Sequence, residues 1–356
     1  MSRGLRITRR SLLGATGGAL GAAAISRWGR IAAWASRVST PRADVADLRR
    51  DIVGSPVTVA LHRARTFTKV FQATEGRPWI VRKAAALREY FQTVPLYLRE
   101  HDRLAGALTE RPGAMPVMVE LGIAENGIYT GENPNRAGYL AGQVPDEIRD
   151  YWKNRNMWGL YRTQILGQKP VQSADELPQV AHYKFLSNQG HLSPSYGELL
   201  QAGLGGVLRK VRERQRGESD SDKLAFLTAA QESLMGLSEW IARYGEFLTA
   251  EAGRCPNAAR AADLREMARI AGKIALQPPD TFREALQLVW FAHQAIHVEG
   301  HGYSCTPDRL DQLLLRFYEA DKKAGRLDDA AAIGLIENFV LRMYDNTFWG
   351  PEHHLT

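Results

Sequence analysis

Apolar residues recur along this chain at helical spacing, and the pattern sharpens toward the C-terminal end. Between Tyr196 and Arg216, Leu199, Leu200, Leu204, Val207, Leu208 and Val211 fall three and four residues apart, which predicts an amphipathic helix. Two long helices fit residues 221–252 and 257–276. Pro278 and Pro279 stop the second, and Thr281-Phe-Arg-Glu284 is a capping box. After it, Phe282, Ala285, Leu286, Val289, Trp290, His293 and Ile296 make one apolar face, ended by Gly300 and Gly302. Pro307 can open a helix with Leu310, Leu313, Leu314, Phe317 and Tyr318 on one side, ended by Gly325. A last helix follows Asp328, with Ile333, Ile336, Phe339, Val340 and Met343 inward. Earlier, residues 57–101 read as helices broken at Thr74-Glu-Gly-Arg-Pro78. Residues 110–142 read as loop with one short strand in Val117–Leu121, 145–158 as helix, and 170–194 mostly as loop.

Charge changes the picture only at the N-terminus. The chain has 356 residues, 44% hydrophobic and 24% charged, with a formal net charge of +7. Six arginines (3, 6, 9, 10, 27 and 30) lie in the first 35 residues, which hold no acid, so the rest of the chain carries only +1. A body so close to neutral argues against a nucleic-acid partner. Arg9 and Arg10 precede an uncharged Ala/Gly-rich stretch from Leu12 to Ser26, and Ala33-Trp-Ala35 offers a cleavage site. Residues 1–35 therefore resemble a twin-arginine export signal, which implies the twin-arginine translocon as a partner and a periplasmic or exported protein. An uncleaved anchoring leader is the alternative. The body is residues 36–356. Two cysteines, Cys255 and Cys305, are too few for a disulfide framework or a four-thiolate cluster.

One constellation is specific. Pro279-Asp-Thr-Phe-Arg-Glu-Ala-Leu-Gln287 leads into Glu299-Gly-His-Gly-Tyr-Ser-Cys-Thr-Pro-Asp-Arg-Leu-Asp-Gln312, then Tyr318-Glu-Ala-Asp321 and Gly325-Arg-Leu327. This resembles the pyruvate formate-lyase and glycerol/diol dehydratase family of glycyl radical enzymes in order, spacing and residue type. Gly76-Arg-Pro78 with Arg82, Lys83 and Ala84, Gly190-His191 followed by Tyr196-Gly-Glu-Leu-Leu200 and Gly203-Leu-Gly205, Gln231-Glu-Ser233 and Arg243-Tyr244 agree more loosely. The resemblance covers about residues 57–345. Asp308 departs from it, standing where the family has Gly, as does the Gly-His-Gly-Tyr form of the loop. An export leader is also unexpected on a family that resembles cytoplasmic proteins, so a cytoplasmic location stays open.

The resemblance implies an α/β fold, predominantly helical in this portion and forming the N-terminal part of a ten-stranded α/β barrel. It implies a lyase or dehydratase that cleaves a bond in a small oxygenated substrate. No cofactor is bound directly; a radical-SAM activating enzyme installs a radical on a backbone glycine, and a cysteine thiyl abstracts hydrogen. The family's versions of that cysteine and glycine would lie beyond Thr356, so no residue of this chain is assigned a catalytic role. Ser304, His191 and Glu299 are the substrate-facing candidates, each with a structural reading beside it. Arg309, Asp311 and Gln312 are expected to tie the loop to the next helix, the first two as a buried ion pair. Cys305 is read as a packed thiol. His293, His297 and His301 recur every four residues, but they do not make His-Glu-x-x-His and Gly300 interrupts the helix, so no metal is assigned. A homodimer is an open assembly. The alternative function is a non-catalytic remnant, or an exported binding protein on the same scaffold.

Overall fold

The structure, a computed structural model, describes residues 43–55, 58–121, 143–160, 163, 164, 167, 169, 191–300 and 304–344. The leader, with Arg9 and Arg10, and most of 170–194 lie outside the described residues, as does His301. The chain divides into residues 1–46 and a compact unit of residues 47–356. The described elements are α1 (Ala43–Gly54), β1 (Thr58–Ala60), α2 (His62–Ala73), α3 (Trp79–Thr93), β2 (Ala114–Pro116), α4 (Asp146–Trp152), α5 (Met157–Leu160), β3 (His191–Leu192), α6 (Tyr196–Arg216), α7 (Ser221–Arg254), α8 (Ala258–Ile274), α9 (Phe282–Gly300), β4 (Ser304–Cys305), α10 (Leu310–Lys323) and α11 (Asp329–Met343). Among the described residues no helix is long and apolar enough to cross a membrane.

Capping chemistry starts the later helices where the sequence places them. Asp220 accepts from the backbone N–H groups of Asp222 and Lys223, Asn257 from Arg260, and Asp328 from Ala331. The capping box of α9 forms in both directions. The Glu284 N–H donates to Thr281 Oγ1 at 3.3 Å, and Glu284 Oε2 accepts from the Thr281 N–H at 3.2 Å. Burial alone would raise the Glu284 pKa. Hydrogen bonds from Lys273, the Asp280 backbone and Arg269 outweigh it and hold the carboxyl below its ordinary value.

Helix α9 is buried on every side from Glu284 to Gln294, not along the single stripe that its spacing suggests. It packs against α6, α7, α8, α10 and α11. Trp240 of α7 meets Phe291 edge-on at 5.3 Å and stacks on Phe91 of α3 at 5.2 Å. A helix with apolar residues all round belongs at the centre of such an assembly.

Several expected elements take a different form. Residues 196–216 are two helical pieces merged across a kink at Gly203, whose φ is +65°. The Gly205 N–H donates to Leu276 O at 2.8 Å, and a Cβ on Gly203 would sit 2.5 Å from Pro278 N. The close crossing of residues 276–278 thus requires glycine here. The early strand is Ala114–Pro116, just before the expected run, and Val119–Leu121 is a 3₁₀ turn. Residues 145–158 hold two short helices, and 94–101 are not helical. Val340 faces outward, because the inward face of α11 is taken by Leu335, Asn338, Phe339 and Arg342.

The described strands pair only in twos, β1 with β2 and β3 with β4, both parallel. Elsewhere side chains satisfy buried backbone. The Ala105 N–H donates to Gln287 Oε1 at 2.7 Å, and Gln287 Nε2 donates to Ala105 O at 2.9 Å. Trp290 Nε1 donates to Gly106 O at 2.8 Å, Arg342 donates to Leu104 O and Gly106 O, and the Ala107 N–H donates to the Tyr244 hydroxyl. Gly106 has φ +100°, and a Cβ there would lie 2.9 Å from the Phe291 ring.

The C-terminal end of α9 is held by Arg63 of α2. Its Nε donates to Val298 O at 2.7 Å, and its terminal nitrogens form a fork on Glu120 at 2.8 and 2.5 Å. Both side chains are fully buried. Burial would raise the Glu120 pKa, but the charge and hydrogen bonds of Arg63 bring it below the ordinary value. Removing one partner of such a pair leaves an uncompensated buried charge. Arg63→Met is therefore expected to lower unfolding free energy by about 3–5 kcal/mol in urea titrations, and Arg63→Met/Glu120→Leu to restore part of the loss.

Candidate functional site

The parallel pairing of β3 and β4 sets His191 opposite Ser304 and Leu192 opposite Cys305, and the Thr306 N–H donates to Leu192 O at 3.0 Å. Two of the three substrate-facing candidates, more than a hundred positions apart in sequence, thus stand on adjacent strands. The structure describes these two positions by their backbone alone. The third, Glu299, lies on the last turn of α9. Its carboxylate pairs with Lys83 Nζ of α3 at 2.6 Å, and its carbonyl accepts from Arg63 at 3.5 Å. Lys83 is nearly buried and Glu299 is 44% exposed. Charges from α2 and α3 therefore hold both the backbone and the side chain of Glu299.

Glu299 forms part of the wall of a cavity of about 340 Å³ between α3, α6, α7 and α9. Leu87, Phe91, Leu199, Leu234 and Ile296 make most of its surface apolar, while Ser195, Glu198 and Ser233 add polar groups. Its size suits a small molecule. Tyr196 also lines it, and its hydroxyl lies 3.4 Å from His293 Nδ1 and 3.9 Å from Cys305 Sγ. His293 Nε2 is in turn 3.1 Å from His297 Nε2. Tyr196 therefore joins the cavity wall to the β3–β4 pair.

Burial governs the ionisation of this group. It pushes His293 down to about 3, helped by the neighbouring His297, and His297 down to about 4. It raises the Cys305 thiol, an effect only partly offset by the Tyr196 hydrogen bond. It also raises the Tyr196 phenol, with Cys305 adding to the shift. At neutral pH all four groups are uncharged. The cluster can donate and accept hydrogen bonds but is not a source of charge. Among the described residues no group of three or more His, Cys, Asp or Glu side chains converges on a common metal position.

The Arg309–Asp311 pair forms, with contacts at 2.9 and 3.1 Å, but not as the buried anchor expected from sequence. Both side chains are about two-thirds exposed, and Gln312 is exposed beside them. Leu314, Phe317 and Asp321 of α10 are buried, and Leu310, Leu313 and Tyr318 pack against the core beside them. At the other end of α10, Asp321 accepts from the Phe282 N–H at 2.8 Å and so joins the last turn of α10 to the start of α9. Sequence reasoning assigned no role to Tyr196, Lys83 or Arg63. The first two stand inside the segments that carry the family resemblance. Nothing in the pattern around Arg63 marks it as buried.

The family model described as pyruvate formate lyase-like matches residues 34–354. This chain belongs to the pyruvate formate lyase-like family. It is 27% identical to the (2S)-3-sulfopropanediol dehydratase of Klebsiella oxytoca over 324 residues, 86% of this chain and 39% of that protein. It is 25% identical to the isethionate sulfite-lyase of Desulfovibrio desulfuricans, covering 80% of this chain and 37% of the relative. The glycerol-bound B12-independent glycerol dehydratase of Clostridium butyricum superposes with a TM-score of 0.70 at 25% identity, over 86% of this chain and 40% of its own. The chain spans about two-fifths of the length of these relatives.

Asp308 departs from the motif that carries the resemblance to the pyruvate formate lyase-like family. Its φ is +61°, the left-handed region that glycine occupies freely, and glycine is what the resembling motif carries at this position. The side chain is exposed, so backbone conformation dominates the effect of substitution. Asp308→Gly is expected to leave unfolding free energy unchanged or raise it, and Asp308→Val to lower it by about 1–3 kcal/mol, as read by chemical denaturation.

Proposed function

We propose that this chain is the N-terminal portion of a glycyl radical dehydratase or lyase that cleaves a bond in a small oxygenated substrate. The observation that carries this reading is the match to the sulfopropanediol dehydratase over 86% of the chain. The pairing of His191 with Ser304 on β3–β4 supports it. In this reading the chain belongs to a ten-stranded barrel, and a radical-SAM activating enzyme is its partner. The radical supplies hydrogen-atom abstraction. The residues here bind and orient. Glu299, ion-paired with Lys83, offers its carboxylate as an acceptor to a substrate hydroxyl. Ser304 and His191, on neighbouring strands, are the other two candidates for binding it. The mostly apolar cavity wall offers a surface for the carbon skeleton of such a substrate.

A non-catalytic scaffold is the second reading. Electron paramagnetic resonance separates the two. The chain alone, co-expressed anaerobically with an activating enzyme of the family, is expected to give no glycyl doublet, because the radical and its cysteine must be held within transfer distance of one another. A longer product read from the DNA past Thr356 is expected to give the doublet, and its absence there favours the scaffold. A doublet on the chain alone, lost on changing Cys305, would reassign the catalytic residues. We also propose export through the twin-arginine route. Arg9→Lys/Arg10→Lys is expected to retain the protein in the cytoplasmic fraction, and unchanged fractionation of this variant would remove the leader's assigned role.

A further inference from the structure

The contacts around Tyr196 have a direction. Four uncharged groups lie in series: Cys305 Sγ, the Tyr196 hydroxyl 3.9 Å away, His293 Nδ1 a further 3.4 Å on, and His297 Nε2 3.1 Å from His293 Nε2. Tyr196 and His293 are 1% exposed and Cys305 is 8% exposed, so water does not readily replace these partners. A neutral imidazole has one N–H donor and one bare acceptor nitrogen. Two proton arrangements satisfy all three contacts and also give the buried phenol proton an acceptor; a third, in which the phenol oxygen accepts from both neighbours, leaves that O–H without an acceptor in the chain. In one of the two, every proton points from Cys305 toward His297. In the other, every proton points back. The backward arrangement makes the phenol donate to sulfur, a weak acceptor, and leaves the thiol proton without a use in the chain. The forward arrangement has the phenol donate to an imidazole nitrogen, a strong acceptor, and uses the thiol proton on the phenol oxygen.

We infer that Tyr196 is a positioning residue for the candidate site: a one-way hydrogen-bond chain from Cys305 through Tyr196 and His293 to His297 clamps strand β4 to helix α9 and locks each imidazole in one tautomer. His293 carries its proton on Nε2 and His297 on Nδ1. The clamp acts one residue from Ser304 and two from Glu299, so it sets the separation between two of the groups that face the substrate in the reading above. Its relevance to catalysis rests on that reading; the tautomers themselves do not. The depressed imidazole basicity is consistent with the neutral chain, since a proton added to either ring would break its direction.

Long-range ¹H–¹⁵N spectra of the histidine-labelled chain at neutral pH test the inference, with His293→Gln and His297→Gln for assignment. The expected result is an Nε2-protonated His293 and an Nδ1-protonated His297. Tyr196→Phe is expected to leave His293 as a mixture of tautomers, because the proton between the two rings can then point either way. Cys305→Ser, which keeps a donor, is expected to preserve the wild-type pattern. An Nδ1-protonated His293 in the wild-type chain overturns the inference. So does an unchanged tautomer in a folded Tyr196→Phe variant. Protonation of both rings on Nδ1, reversed by a chelator, would show a metal ion between the two Nε2 atoms and would also overturn it. Should Tyr196→Phe fail to fold, the wild-type spectrum decides. Loss of the radical-enzyme reading would leave all of these spectra as they are.

Discussion

The position of the candidate site depends on how the buried end of α9 is satisfied. The last carbonyls of a helix have no partner within it, and at the centre of the protein water cannot serve them. Arg63 supplies the donors. Its charge can enter the interior only because Glu120 is there to meet it, and Glu120 is delivered by the 3₁₀ turn that follows β2. The cation also complements the negative end of the helix dipole. Through this one pair, α2, the β1–β2 ribbon and α9 fix each other, and the fixed end of α9 carries Glu299 toward Lys83 and the chain onward to β4.

The same physical solution recurs at residues 101–107. That segment is buried, yet it has little sheet pairing of its own. Gln287 presents an amide edge to Ala105 as a neighbouring strand would, while Trp290, Arg342, Tyr244 and Asn338 take up the adjoining groups. Buried backbone must be paired by something, and here much of it is paired by side chains from α7, α9 and α11. The protein can thus be mostly helical around an extended interior segment.

Much of the helical framework was legible in the sequence. The capping box at Thr281 and Glu284 is a local signal, and it forms as written. The break at residues 74–78 and the three helices after Pro279 are equally local. What was not legible depends on distant partners. Arg63 and Arg342 look like ordinary helix-surface arginines until Glu120, Asp102 and the carbonyls of 104, 106 and 298 are placed around them. Sequence spacing showed that His293 and His297 share a helix face, but not that Tyr196 and Cys305 close on the same face. The burial expected of Arg309 and Asp311 failed for the converse reason: two opposite charges close in sequence find each other on a surface as readily as in an interior. Asp308 was visible as a departure from the family motif, and only its left-handed backbone gives that departure a physical meaning.

The separations along the chain between these partners bear on how the protein forms. Arg63 meets Val298 across 235 positions, and Ala105 meets Gln287 across 182. During synthesis the early helices emerge long before the helix that satisfies them. Until α9 exists, a buried guanidinium lacks half of its acceptors and an extended segment lacks its lateral partners. Such non-local closure is slow, because the loop must be ordered before any contact rewards it. A chain that stops short of residue 290 lacks these partners and leaves exposed the apolar surface that α9 covers in the finished protein, the kind of surface that invites aggregation.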